Sequence, residues 1–233
     1  MEEYNKNFLK DFIVILISIL LFVMYQRASF DQTVLRNVSM EPFSAPIQER
    51  IFEGEPFRHN TKEGIAEITP IAKYKIYGRV ADVHFRPSKL YWASMYPYDV
   101  TIAYGNFRHK EVFENVKFKM AATVVYWKYS YNAWKKHLSK YYNSYSELNE
   151  QVTNNHICPA NTNILNGLKK LKKEDIVYLE GYLIKFYLKT KDGTVEKGVS
   201  STSRNDDFGG DNGSGNCEQI YVTRLVSRHG DFR

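Results

Sequence analysis

A chain of 233 residues with a 43% apolar share has material for one substantial core, or a core with a large insertion, and one globular domain is expected rather than two. Aromatics make up 15% of it, with 18 Tyr and 14 Phe, a content that favours packed strands over a helical bundle. The net charge of +6 favours anionic partners such as lipid head groups, wall polymers or nucleic acid without choosing among them.

In chain order, the first feature is FIVILISILLFVMY at residues 12–25, an uncharged apolar run bracketed by Lys10, Asp11 and Arg27. At 1.5 Å per residue it covers about 21 Å, so Phe8, Leu9, Gln26 and the snorkelling Lys10 and Arg27 must help to cross a hydrocarbon core of roughly 30 Å. Gln26 and Arg27 stand where a cleavage site wants small neutral residues, and there is no lipobox cysteine. Residues 1–27 are therefore expected to be an uncleaved signal anchor, a single-pass transmembrane helix in the inner (cytoplasmic) membrane. The C-terminal domain is placed on the extracytoplasmic, periplasmic side, and the membrane is the first partner, through residues 12–26.

Residues 28–69 carry Pro42, Pro46 and Pro56 with little periodicity and read as an extended arm. The globular domain is assigned to residues 70–233. YKIYGRVADVHF (74–85), YDVTIAYGNF (98–107) and AATVVYWKY (121–129) read as strands, with Gly78 and Gly105 marking bulges or tight bends. Trp134, Leu138, Tyr141, Tyr145, Leu148 and Val152 recur in steps of three and four, which predicts a long amphipathic helix inserted at about 132–153. A shorter helix follows, capped by Asn161 or Thr162, with Ile164, Leu165, Leu168 and Leu171 on one face and four lysines in its last turn. A long strand around Gly181, an Asp192-Gly193 hairpin turn and a closing strand CEQIYVTRLV (217–226) complete the pattern. The expected fold is β-rich α+β: a small, partly open β-barrel of the OB or SH3-like kind behind the transmembrane helix, with one long and one short helix.

The candidate chemistry is thin. Asp206, Asp207, Asp211 and Glu218 offer oxygen ligands, but aligning Asp207 as first ligand of a calcium loop puts Asn212 where the invariant glycine belongs, so the segment reads as an exposed turn. His156, Cys158 and Cys217 lack zinc-site spacing, so no metal and no cofactor are implied. Cys158 and Cys217 form an even pair that a disulfide would join in an exported domain. As a free thiol, Cys217 is a nucleophile if the fold brings His156 or His229 beside it. Tyr182, Phe186 and Tyr221 offer a base-stacking platform, yet the extracytoplasmic address argues against nucleic acid.

Several segments carry a resemblance: EPFSAPIQ in the arm, PIAKYKIYGRV and YPYDVTIAYG in the first strands, NNHICPAN before the short helix, EDIVYLEGYLI after it, and SSTSRNDDFGGDNGSGNCEQIYV at the end. Together they resemble an uncharacterised family of membrane-anchored bacterial envelope proteins, and the resemblance implies architecture and location only. The family pattern has an apolar residue where Cys158 stands and a shorter stretch before the Asp-Cys segment. A shared function would fall on Asn155, His156 and Asn161 together with Ser201, Arg204, Asp206, Cys217 and Glu218, as a binding cluster beside the barrel. The competing structural account pairs Arg204 with Asp206 or Glu218 and uses Asn161 as a helix cap. The expected function is a membrane-anchored binding or assembly module with an envelope protein as partner and no catalytic signature; the alternative is a Cys/His-dependent hydrolase or transferase using Cys217 and His156.

Overall fold

The structure, a computed structural model, describes Lys10 and residues 12–22, 24–25, 38–52, 54–86, 92–121, 124–200 and 217–233. Nine strands form one mixed sheet: β1 (Ile47–Arg50), β2 (Phe57–Asn60), β3 (Gly64–Phe85), β4 (Tyr98–Ala103), β7 (Val152–Pro159), β8 (Ile176–Thr190), β9 (Val195–Val199), β10 (Cys217–Ser227) and β11 (Gly230–Phe232). The remaining two, β5 (Lys117–Ala121) and β6 (Val124–Lys128), make a separate hairpin. The sheet order is β1-β3-β4-β7-β10-β8-β9, with β2 paired to β3 and β11 to β10. The β7–β10 pair is parallel and the other pairings are antiparallel.

Strand β3 organises this sheet. It runs 22 residues, and extra residues at Ile71 and Ala81 interrupt its register with β8 and β4. Pro70 has no N–H to donate to a ladder, so the irregularity beside it is where a strand tolerates a proline. The two bulges bend β3, so that it borders β8 along Gly64–Arg79 and β4 along Arg79–Phe85.

The expected architecture is corrected on three points. No helix among the described residues is long and apolar enough to cross a membrane. This contradicts the expected transmembrane helix, and with it the inner-membrane location and the periplasmic placement that rest on it. In place of a small, partly open OB- or SH3-like barrel there is a nine-stranded mixed sheet, because the bent β3 takes on β1, β2, β4 and β8 together. The long helix at 132–153 is also absent: Tyr131–Ala133 is a single helical turn running into a π-helical turn at Trp134–Leu138, Tyr145–Asn149 is a second short helix, and Val152 already opens β7. Ser144 accepts from the Glu147 N–H at 3.2 Å while the Glu147 carboxylate accepts from Asn143 N–H at 2.8 Å, a reciprocal cap that starts a new helix and ends any continuous one. The apolar spacing still serves burial, since Leu138, Leu148 and Val152 pack with Phe107, Phe113 and Trp127. Within the expected arm, residues 47–50 and 57–60 are strands β1 and β2.

One face of β4, β7 and β10 covers the main core of Ile76, Val100, Ile102, Ile157 and Ile220, on which the short helix Thr162–Leu168 packs through Ile164 and Leu168. Asn161 caps that helix by accepting from Asn163 N–H at 2.9 Å and Ile164 N–H at 3.0 Å. Gly181 of β8 has no room for a side chain: a Cβ there would sit 2.0 Å from the Tyr221 carbonyl oxygen, opposite the bulge between Val222 and Arg224. Gly181→Ala is expected to destabilise by about 1–3 kcal/mol through forced backbone shifts; urea unfolding of both proteins checks this.

Candidate functional site

The middle of the sheet buries an unusual number of polar side chains. Thr153, Asn154, Asn155 and His156 of β7, Asp99 and Thr101 of β4, and Glu218 and Gln219 of β10 are all buried. Buried polar groups require partners, and alternation along each strand sorts these residues onto two faces.

On the core face, Asn155 donates from Nδ2 to the Val100 carbonyl at 2.9 Å and accepts from the Tyr74 hydroxyl at 3.3 Å. Glu218 accepts from the Gln48 amide at 3.1 Å and from the Ser200 hydroxyl at 3.0 Å. These contacts tie β7 to β3 and β4, and β10 to β1. They engage the oxygens that a ligand would need, so Asn155 and Glu218 act within the sheet.

The opposite face carries a different set. Register places Asp99 directly across from His156, Gln219 across from His156 on its other side, and Cys217 across from Asn154, two residues earlier on the same face. Diagonal neighbours at this spacing are within side-chain reach. His156 Nδ1 lies 2.6 Å from Asp99 Oδ1, and Cys217, diagonal to His156 on the same face, favours the protonated ring. With the proton on Nδ1, His156 donates to Asp99, which fixes the ring's orientation. Asp99 is in turn held by Arg86, whose Nε donates to Asp99 Oδ2 at 2.7 Å, with Asp99 0% and Arg86 1% exposed. Arg86 Nη2 also lies 2.6 Å from His156 Nδ1 and 3.4 Å from Nε2; as a donor only, the guanidinium bonds to a ring nitrogen that carries no proton and so competes with Asp99 for Nδ1. Asn154 donates toward Cys217 Sγ at 3.6 Å and accepts from the Thr101 hydroxyl at 3.4 Å, while the Tyr96 hydroxyl donates to Gln219 at 3.0 Å. Cys217 is half-buried at the start of β10.

Burial, the largest single influence on His156, pulls its pKa down, but the bonds to Asp99 and Cys217 together with their charges outweigh it and leave the value raised above 6.5. A raised folded value means that protonated His156 contributes its full stabilisation below pH 6.5 and loses it as pH climbs through the folded value. The stability difference between the wild type and His156→Gln, followed by urea unfolding across pH, is expected to shrink as pH rises above 6.5. A constant difference would contradict the assignment.

The remaining sequence candidates fall elsewhere. Asn161 is a helix cap, distant in register from Cys217. Ser201, Arg204 and Asp206 lie outside the described residues. His229 bonds to Asp175 at 3.0 Å and is not the partner of Cys217. The proposed disulfide is corrected: Cys158 and Cys217 are both free thiols. Register explains this, because Cys158 pairs with Tyr221, four residues beyond Cys217 on β10, a separation of roughly 13 Å at strand rise against a bridging limit near 7 Å. Cys158 is fully buried, and burial pushes its thiol far up, which leaves it unreactive. Of the proposed stacking platform, Phe186 is buried against Trp92 and Tyr96 and offers no face to a base. Among the described residues no cluster of His, Cys, Asp and Glu could hold a metal ion.

Sequence reasoning singled out His156 and Cys217 but missed Asp99, Arg86, Asn154 and Gln219. A lone acid inside the β-branched run YDVTIA was the available signal for Asp99. Arg86 carried none, because its partner is thirteen residues away across a turn. Comparison with models of known protein families, with curated proteins and with solved structures finds no match in any of the three.

Proposed function

We propose that this protein is a cysteine-dependent acyl-transfer enzyme, a hydrolase or transferase, in which Cys217 is the nucleophile, His156 the proton carrier and Asp99 a positioning residue. The observation that supports it is the register that sets the half-buried Cys217 diagonal to His156 on one face of the sheet, with the imidazole 2.6 Å from a buried, ion-paired carboxylate. Nucleophile, base and orienting group in sequence of contact are what thiol acyl transfer requires.

The proposed reaction has two halves. The thiol proton passes to His156, and the resulting Cys217 thiolate attacks the carbonyl carbon of a bound ester, thioester or amide. Asn154 Nδ2, 3.6 Å from Cys217 Sγ, is assigned as the donor to the resulting tetrahedral oxyanion. Collapse breaks the bond to the leaving group, which departs with the proton from His156 and leaves a thioester on Cys217. Water, or a second nucleophile deprotonated by His156, then attacks the thioester and regenerates the thiol. Arg86 offsets the Asp99 charge, so the carboxylate is tolerated in the interior without leaving its position.

The test is acylation by p-nitrophenyl acetate followed by intact-protein and peptide mass analysis. One acetyl group is expected on Cys217, with none on Cys158, and Cys217→Ser is expected to abolish the thioester. A wild-type protein that is never acylated at Cys217 would sink the reading. A second reading, a module that binds another macromolecule without chemistry, is favoured by an aromatic group in which the half-buried Tyr129 stacks on the half-buried Trp134 and the exposed Tyr145 at 5.7 Å each. For that reading Cys217→Ser would change nothing.

A further inference from the structure

A second concave surface lies at the far end of the same strands. Beyond Asp99 and His156 the β4–β7 ladder ends near Tyr98, Ile157 and Pro159, and there a cleft of about 650 Å³ opens between the β2–β3 turn, the end of β3 and the start of the 162–168 helix. That volume falls within the range of small-molecule sites. Three exposed cations line it from three separate elements, Arg58 on β2, Lys62 in the turn and Lys169 after the helix, with the buried Arg86 as a fourth. Glu63 is the acid that also lines it, so the rim is net positive. Burial pulls the His59 pKa down, which keeps that ring neutral at pH 7 and leaves it as a packing surface.

The walls are aromatic. Phe85, 59% exposed, meets Tyr98 edge to face at 5.4 Å on one side, and Tyr221 packs against His59 at 5.5 Å on the other. Arg86, whose guanidinium holds Asp99, is also among the residues that line the cleft. An exposed aromatic ring costs free energy in water that a flat ligand ring recovers, and a positive rim of mobile cations draws an anionic group to the entrance. We propose that this cleft is a binding site for a small anionic ligand carrying a planar ring, of nucleoside monophosphate size.

Calorimetric titration of the full chain with the four nucleoside monophosphates tests this. Saturable binding of at least one is expected, weakened as NaCl rises from about 50 to about 500 mM because the rim charges are screened. Arg58→Glu/Lys62→Glu/Lys169→Glu, all at exposed positions, is expected to weaken it by at least about tenfold. Phe85→Ala is expected to weaken it severalfold, and the matching nucleoside without phosphate to bind about tenfold more weakly. Absence of binding by all four, or binding that the triple charge reversal leaves unchanged, overturns the proposal. Inorganic phosphate competing as well as the nucleotide overturns the planar-ring part. Cys217→Ser is expected to bind like the wild type, so failure of the thiol chemistry would leave this result intact.

Discussion

Arg86→Met is expected to lower the unfolding free energy by about 3–5 kcal/mol, one of the largest single losses available in this chain. Arg86 and Asp99 are 1% and 0% exposed and joined at 2.7 Å, so removal of the guanidinium leaves a carboxylate in the interior with His156 as its remaining charged neighbour. The pair itself is a weaker contributor than that loss implies, because assembling it first stripped both ions of water. Arg86→Met/Asp99→Leu is therefore expected to recover much of the stability lost in the single variant. It would not recover function, since His156 would then have lost the acceptor that orients it. Urea unfolding of the two variants and the wild type checks the stability, and acylation of Cys217 in the double variant checks the separation of roles. A single variant as stable as the wild type would mean that the buried pair is not formed.

The second large effect falls on His156. His156→Ala is expected to slow acylation of Cys217 by about 10²–10⁴-fold, the range over which a positioned proton carrier contributes. Asp99→Asn tests the positioning role separately, because the amide can hold the ring by accepting from it but no longer favours the imidazolium. In that variant the His156 titration, followed by NMR, is expected to move down from its raised position, with a smaller loss of acylation rate than in His156→Ala. A purely structural Asp99 would leave the titration in place.

Much of the strand pattern was legible in the sequence, because aromatic and β-branched runs such as YDVTIAYGNF declare themselves locally. The errors arose where a local pattern had more than one tertiary use. The step-of-three-and-four spacing from Trp134 to Val152 is equally served by short helices, a π-turn and the first residue of a strand, all burying the same side chains. Ser144 and Glu147 were the visible sign that the helix restarts there. The apolar run at 12–25 was taken to cross a membrane from its composition, while among the described residues no helix has the length and apolarity to do so. Pairing partners were the least legible feature. Nothing local in TNNHIC says that β7 runs parallel to β10, and that one pairing decides that Cys217 meets His156 and not Cys158. A parallel pair is made between segments distant in sequence, so its register is recorded in no short window.

The site shows the same division. His156 and Cys217 were visible as residue types capable of chemistry, whereas Asp99 and Arg86 became meaningful only once β3 and β4 lay side by side. Asn155 and Glu218, adjacent in sequence to His156 and Cys217, point to the other face, as strand alternation requires.

The alkylation rate of Cys217 by iodoacetamide, compared between the wild type and His156→Ala at neutral pH, tests the central claim most directly. Cys158 is fully buried and stays silent in the folded protein, so the signal belongs to one sulfur. If His156 draws the proton from Cys217, the wild type reacts and the variant is slower by about tenfold or more. Equal rates in the two folded proteins would contradict the account.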